Sequence, residues 1–522
     1  MRGLSVAAGA AALFALAALP SPAHPAESHP VDLRPDDPAP LASLSKAELA
    51  LVDALTWGVD SATLRAFGTQ GRDTWLKAQL RPAAGDRLPE AARARLEALP
   101  SRTIPVADLV RDFDARARAA AALSDPDQRA AARKDVQQGM TDVFRDTTTA
   151  FVLRALYSPD QLRERLVWFW LNHFNVHQAK ANLRLLVGDY VDTAIRPHAL
   201  GRFRDLVMAT LRHPAMLRYL DNADNAAGRL NENYAREIME LHTMGVGSGY
   251  TQKDVEELAR ILTGAGIALR PDTPRLKPEL QPLLIQDGLF MFNPARHDFV
   301  DKVLLGHAVK GRGFAEIEEA VDILCRQPAT ARRVARQLAT WFVADDPPPA
   351  LVDRMARRFT ETDGDIAAVV EAMLRAPEFS ATIGTRAKDP VRFVVSALRL
   401  AYDGKVIVNA APVQGWLNRL GEGLFNHQTP DGYPLVSTAW TGPGQMTTRF
   451  EIARQIGSGP AGLFKQAGTD APDQPAFPQL QNAVYFAALQ ARLSDRTRAA
   501  LDRAVSPQDW NTLFLSSPEF MQ

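Results

Sequence analysis

The sequence predicts an all-α protein: a large multi-helix array of one or two lobes, with few or no short strands and long Gly/Pro-rich loops. Three observations lead there. Apolar residues recur at helical spacing along most of the chain. Helix-start signatures, a capping residue followed three positions on by an acidic residue, stand ahead of those stripes. Period-2 alternation bounded by hairpin turns is nearly missing, and its best case is the short run Val406–Val408.

Taken in order, the chain opens with Arg2 and an uncharged apolar stretch from Leu4 to Leu19, closed by Pro20 and then Ser21-Pro22-Ala23. A basic start, an apolar middle and small residues predict a cleaved secretory signal over residues 1–23. The stretch is short for a bilayer span, which takes roughly 20 apolar residues, and no cysteine follows it for lipidation. The mature protein is therefore expected to be exported and soluble, in the periplasm or the extracellular space. Residues 24–44, rich in Pro and Asp, read as a flexible lead-in. Ser45-Lys46-Ala47-Glu48 is a capping box, and the helix that it starts carries Leu49, Val52 and Leu55 before Gly58.

Ser158-Pro159 predicts the start of a helix with Leu162, Leu166, Phe169, Trp170, His173, Phe174 and His177 on one face. Asn231 is expected to cap a helix running through Tyr234, Ile238 and Leu241 to Gly245. Thr251 with Asp254 starts the next, whose buried stripe is Val255, Leu258, Ala259 and Leu262. Further helices are expected over Glu316–Arg326, Ala329–Val343, Leu351–Phe359 and Ile366–Arg375. From Gly421 to Gln445, Gly, Pro, Asn and aromatic residues replace the helical period. A long irregular loop in a folded protein often lies over a functional site. The expected organisation is then a helical domain over 45–456, followed by a linker and C-terminal helices over 457–522.

Composition narrows the function classes. Lys and Arg number 60, balanced by 60 Asp and Glu. A mixed, neutral surface lacks the basic face of a nucleic-acid binder and the polybasic cluster of a membrane-surface anchor. Neither a nucleic-acid partner nor a membrane span after signal removal is expected. Cys325 is the only cysteine, which excludes an intramolecular disulfide; behind Val321 and Leu324 it reads as a buried small hydrophobe.

His173 and His177 stand four residues apart, the spacing that puts two imidazoles on one helical face within reach of one divalent metal. Phe174 occupies the place of the general-base Glu in His-Glu-x-x-His, so this is no zinc-protease motif. Glu237 and His242 border the apolar face of their own helix, and with His297 and Asp298 they are candidate acid–base residues or further ligands. The plainer reading stands beside each of them. Histidines on an aromatic stripe more often satisfy hydrogen bonds between helices than bind metal. Arg236 and Glu240 have the spacing of an ordinary surface pair, worth about 0.3–0.5 kcal/mol. Gly245–Gly249 follows no strand and so is no phosphate cradle. A Gly-x-Ser-x-Gly elbow and a Gly-Lys-Ser/Thr phosphate loop are both missing. Asn172, Arg236, Tyr433 and Trp440 remain as candidate binding residues, with Trp440 suited to contact a sugar or a peptide.

Two stretches resemble a known family. Trp168-Phe169-Trp170-Leu171-Asn172-His173-Phe174 is similar to a motif of the bacterial domain-of-unknown-function family 1800. Asn231 through Gly245, reading Asn-Glu-Asn-Tyr-Ala-Arg-Glu-Ile-Met-Glu-Leu-His-Thr-Met-Gly, resembles that family's most distinctive segment. Tyr250–Gly264 and His297-Asp298 through Lys302 to Gly306 follow in the family's order, so the likeness covers roughly Ala47 to Ile456. Two places depart: Gly264-Ala265-Gly266 replaces a Gly-Trp, and the loop Phe425–Pro434 is looser than in other members. The family has no established activity and its members look exported. They are often encoded beside an uncharacterised protein resembling the alkaline-phosphatase and sulfatase fold, which implies a partner of that fold. Two function classes remain, and the sequence leaves open whether the protein is an enzyme. One is a non-catalytic binding or assembly partner of another extracytoplasmic protein. The other is a metal-dependent hydrolase built on the His/Glu cluster, which requires those groups to meet in one cleft.

Overall fold

The computed structural model describes residue 41 and residues 44–269, 273–465 and 476–522. Helix makes up 63% of it and strand 4%, the all-α array that the sequence predicts. Residues 1–23, read above as a signal, and nearly all of the expected lead-in lie outside the described residues. The described residues form one compact unit around a continuous apolar core, and the helix Pro507–Leu515 near the C-terminus packs against helix Pro443–Ser458. Among the described residues no helix is long and apolar enough to cross a membrane.

The first helix, Lys46–Leu55, is held by the Ser45/Glu48 capping box. A pair of helices, Val106–Ala122 and the 32-residue Pro126–Tyr157, brings the chain to the centre. Ser158 does not cap the following helix. It closes the preceding one, and its Oγ accepts from the backbone of Asp160, so that the next helix starts at Gln161. That helix, Gln161–His173, is buried over all 13 residues. A helix buried on every side is the spine of a core, and its charged members must be paired. Arg165 shows the cost: burial pushes its guanidinium down to about 9, and Trp57, Trp341 and Phe342 surround it while it donates to the carbonyl of Ala54.

The segment Asn231–Gly245 also differs in detail from its sequence reading. Glu232 flanks the start in place of Asn231, and the α-helix covers only Asn233–Glu237 before a π turn over Ile238–His242. The wider turn lets Thr243 Oγ1 donate to Ile238 O at 2.7 Å and Gly245 N to Met239 O at 3.0 Å. Such turns cost regularity and recur at functional positions. The next helix, Gln252–Ile261, carries the expected Thr251/Asp254 capping box.

Strand structure occurs where sequence periodicity did not place it. Residues 406–408 form no strand; Val408 N donates instead to Leu463 O. Strands β1 (Ala265–Ile267), β2 (Ile285–Asp287) and β3 (Phe290–Phe292) form a small antiparallel sheet in the order β1-β3-β2. Strands β4 (Lys302–Leu304) and β5 (His307–Val309) form a hairpin. Its two-residue turn, Leu305-Gly306, has φ of 52° and 81°, the positive pair that a tight hairpin requires. The helices Phe314–Cys325, Pro328–Phe342, Pro349–Glu361 and Ile366–Leu374 then follow close to the predicted bounds, and Cys325 is buried as predicted.

Candidate functional site

The end of helix Gln161–His173, the Asn233–His242 segment and the loop after Gly421 meet. Asn172 does the joining. Its Oδ1 accepts from Tyr433 N at 2.6 Å and its Nδ2 donates to Tyr433 O at 2.9 Å, the two-point clamp that a side-chain amide offers the N–H and C=O of one residue. Gly432 is obligatory beside it: φ is +74°, and a Cβ there would stand 2.2 Å from the carbonyl oxygen of Asn172. Asn175 holds the preceding turn by donating to His427 O and Thr429 O, and Tyr219 donates to Gln428 O. Tyr433 is buried, its hydroxyl donating to Gly423 O. Trp440 is buried as well, with Nε1 donating to Pro434 O at 3.3 Å, so that its ring is a loop anchor inside the fold.

His173 ends its helix, and Phe174 is the C-cap. His177 therefore lies beyond the helix, and the shared face implied by the four-residue spacing does not form. His173 is buried and its Nε2 donates to the backbone carbonyl of His242 at 3.0 Å. Burial, with Arg333 nearby, pushes its imidazole down to about 3. His242 is 1% exposed, its ring centroid 6.1 Å from that of His173, and its Nε2 bonds nothing. Burial, then His173 and Arg333, drive it well below the ordinary histidine value. Arg333 donates from Nε and Nη2 to Leu241 O and closes the end of the π turn. The cavity among His173, Arg333, Gln337, Asp431 and Tyr433 holds about 30 Å³, room for a water or two.

Outside this node lies a polar face. Glu237 is half-buried, and burial, then Glu240 and Asp431, raise its carboxyl above the ordinary value. Arg236 is shared between Glu232 at 3.1 Å, Glu240 at 3.7 Å and the Gln252 amide at 2.8 Å. His177 is half-buried, held below the ordinary histidine value by burial, then by His427 and Arg184. His427 contacts Asp431 at 3.2 Å.

His297 and Asp298 belong to a different cluster. The His297 ring is fully buried, with Nδ1 2.8 Å from Thr263 O and Nε2 2.9 Å from Glu316 Oε1. Glu316 also takes Lys302 Nζ and the backbone N–H groups of Arg312 and Gly313. Asp298 pairs with Arg260 at 2.8 Å. Thr263, Glu316, Phe292 and Phe299 surround His297, and neither His173 nor His242 is among its partners. Among the described residues no three His, Cys, Asp or Glu side chains converge as a metal site would require.

Several residues of the node escaped the sequence reading: Asn175, Tyr219, Arg333, Gln337, Asp431 and Gly432. Asn175 and Gly432 carried a local signal, an amide one helical turn after Asn172 and a glycine between Asp431 and Tyr433. Arg333 and Gln337 lie on a distant helix, and nothing local marks them.

A family model described as protein of unknown function (DUF1800) matches residues 50–522. The chain belongs to that family. The match runs from the first helix to the last residue, past the Ile456 limit read from the motifs. No curated protein and no solved structure matches the chain. Within the matched range, the segments Trp168–Phe174 and Asn231–Gly245 build the His173/His242 node and clamp the loop to it.

Proposed function

We propose that this protein works outside the cytoplasm as a non-catalytic binding or assembly partner of another exported protein, contacting it through the face formed by Asn233–His242 and the clamped loop. The observation that carries this reading is the Asn172–Tyr433 clamp with Gly432 seated on it. Signature residues are spent on fixing the shape of a surface loop, while the space beside His173 is too small for a substrate. A preorganised loop loses little entropy on binding, which favours recognition. Glu237, Glu240 and Asp431 give the face an acidic character, and a partner surface rich in Lys or Arg suits it. A protein of the alkaline-phosphatase and sulfatase fold, exported alongside, is the first partner to try. Among the described residues no converging donor set favours the metal-dependent alternative.

The test is co-purification of the exported chain with that candidate partner, for the wild type and for a Glu237→Lys/Asp431→Lys variant that folds normally by circular dichroism. The expected result is a complex lost on charge reversal and weakened by raised salt. No complex, or a near-stoichiometric metal in the wild type that disappears in a His173→Ala/His177→Ala variant, would sink the reading.

A further inference from the structure

A cavity of about 630 Å³ lies away from the loop, between residues 80–86 and residues 192–201, with the helices carrying Arg154 and Arg163 against it. Part of its wall is apolar, with Leu80, Pro82, Ala84 and Leu200. The rest is arginine. Arg81, Arg102, Arg154, Arg163 and Arg196 all line it, with Asp86 and Asp192 as the only carboxylates of the lining.

Ion pairs link this wall into one chain. Arg87 meets Asp160, Asp160 meets Arg163 at 3.0 Å, Arg163 meets Glu164 at 3.5 Å, and Glu164 meets Arg196. Arg196 reaches Asp192 at 3.7 Å; Arg154 bridges Asp192 and Asp86 at 2.7 Å each, and Arg102 also meets Asp192. Five guanidinium groups thus share four carboxylates. Arg81 is separately matched by Asp365. Of the five, Arg87 is 45% exposed and stands outside the lining, whereas three arginines of the wall itself are largely shut off from water. The side chains of Arg154, Arg163 and Arg196 are 4%, 10% and 9% exposed. Arg196 leaves Nε and Nη2 without a hydrogen bond, and Arg163 leaves Nε so. Burial is the largest influence on Arg196 and holds its guanidinium below the ordinary value, although Glu164 faces it. A buried guanidinium with unbonded N–H groups is costly, and a carboxylate or phosphate oxyanion is the group that its fork fits.

From the arginine-lined wall, the buried N–H groups left without a hydrogen bond and the cavity that these arginines line, we infer that this pocket binds a small organic anion, a carboxylate or a phosphate ester, with its oxyanion toward Arg102, Arg154 and Arg196 and its carbon skeleton against Leu80, Pro82 and Leu200. The volume matches that of ordinary small-ligand sites, roughly 300–1,000 Å³. This site is independent of the proposed partner face.

Calorimetric titration of the purified full chain with inorganic phosphate and with citrate, at ionic strength held constant with chloride, tests it. The expected result is saturable one-to-one binding of at least one probe. Saturation by phosphate alone assigns the phosphate-ester class, and saturation by citrate alone the carboxylates. Arg102→Ala, at a partly exposed position, should weaken binding at least tenfold, and Arg81→Ala, at the exposed rim, should weaken it less. Arg419→Ala, in an unrelated surface pair with Glu451, should bind like the wild type. Should Arg102→Ala fail to fold, the Arg81→Ala titration decides alone. No saturable binding of either probe, or full affinity in both lining variants, overturns the inference.

Discussion

Two of the places where this protein buries histidine are built in opposite ways. At His297 both ring nitrogens face acceptors, and the carboxylate that takes Nε2 also takes Lys302 and two backbone N–H groups. At His173 and His242 no carboxylate pairs with either ring, one ring bonds a backbone carbonyl, and His242 Nε2 bonds nothing. The first cluster is charged and closed, so it locks β4 and the helix Phe314–Cys325 to Thr263. The second is neutral and under-bonded, so its shape rests on packing against Trp170, Phe174 and Phe203. Burial alone does not decide what a histidine does; the counter-charge supplied with it does.

The largest way to break this contrast is Glu316→Ala. It leaves Lys302 and His297 buried without their carboxylate and removes the bonds to Arg312 N and Gly313 N. A loss of about 3–5 kcal/mol is expected in urea unfolding, and a loss under about 1 kcal/mol would mean that the triad is not closed. pH sharpens the contrast. The imidazoles of His173 and His242 are held down in the folded state, so their contribution is complete above the unfolded value near 6.5 and is lost as pH falls below it. Each removes about 1.4 kcal/mol per pH unit in that window. Burial pushes the Glu316 carboxyl up, yet the bonds from His297 and Lys302 hold it below its ordinary 4.5, so its share is lost only under that pH. Unfolding measured from pH 7 to 5 should therefore lose stability in the wild type and lose less in a His173→Leu variant; equal slopes would contradict the neutral node. The smallest effect is expected from His242→Phe. Its Nε2 has no partner to strand and the ring volume is nearly kept, so the cost should stay under about 1.5 kcal/mol, whereas His297→Phe, which takes one donor from Glu316, should cost more.

Much of the fold was legible in the sequence because helices announce themselves locally. Ser45/Glu48 and Thr251/Asp254 cap helices as read, and the apolar stripe Val255, Leu258, Ala259 is buried. What was misread depended on distant contacts. Ser158 looks like a cap in isolation, but the spine helix starts only at Gln161, where the Gln161 side chain bonds Trp57 N across the core. The hairpin Lys302–Val309 went unseen because its turn, Leu305-Gly306, puts a leucine at positive φ, which residue preference disfavours. The candidate site divides likewise. Asn172, His173, His242 and Tyr433 come together, although the roles of Asn172 and Tyr433 are to clamp a loop. The assumed continuity of the helix from His173 to His177 failed at Phe174, an irregularity that helical spacing cannot foresee.

The solitary thiol of Cys325 has a consequence for handling as well as for structure. Burial raises its pKa, so little of the sulfur is thiolate while the helix Phe314–Cys325 stays docked. With no second cysteine in the sequence, the only disulfide it can form joins two molecules, and it can do so only during an opening event. The fraction of covalent dimer in an aged preparation is therefore a cumulative record of time spent open, written by the protein on itself.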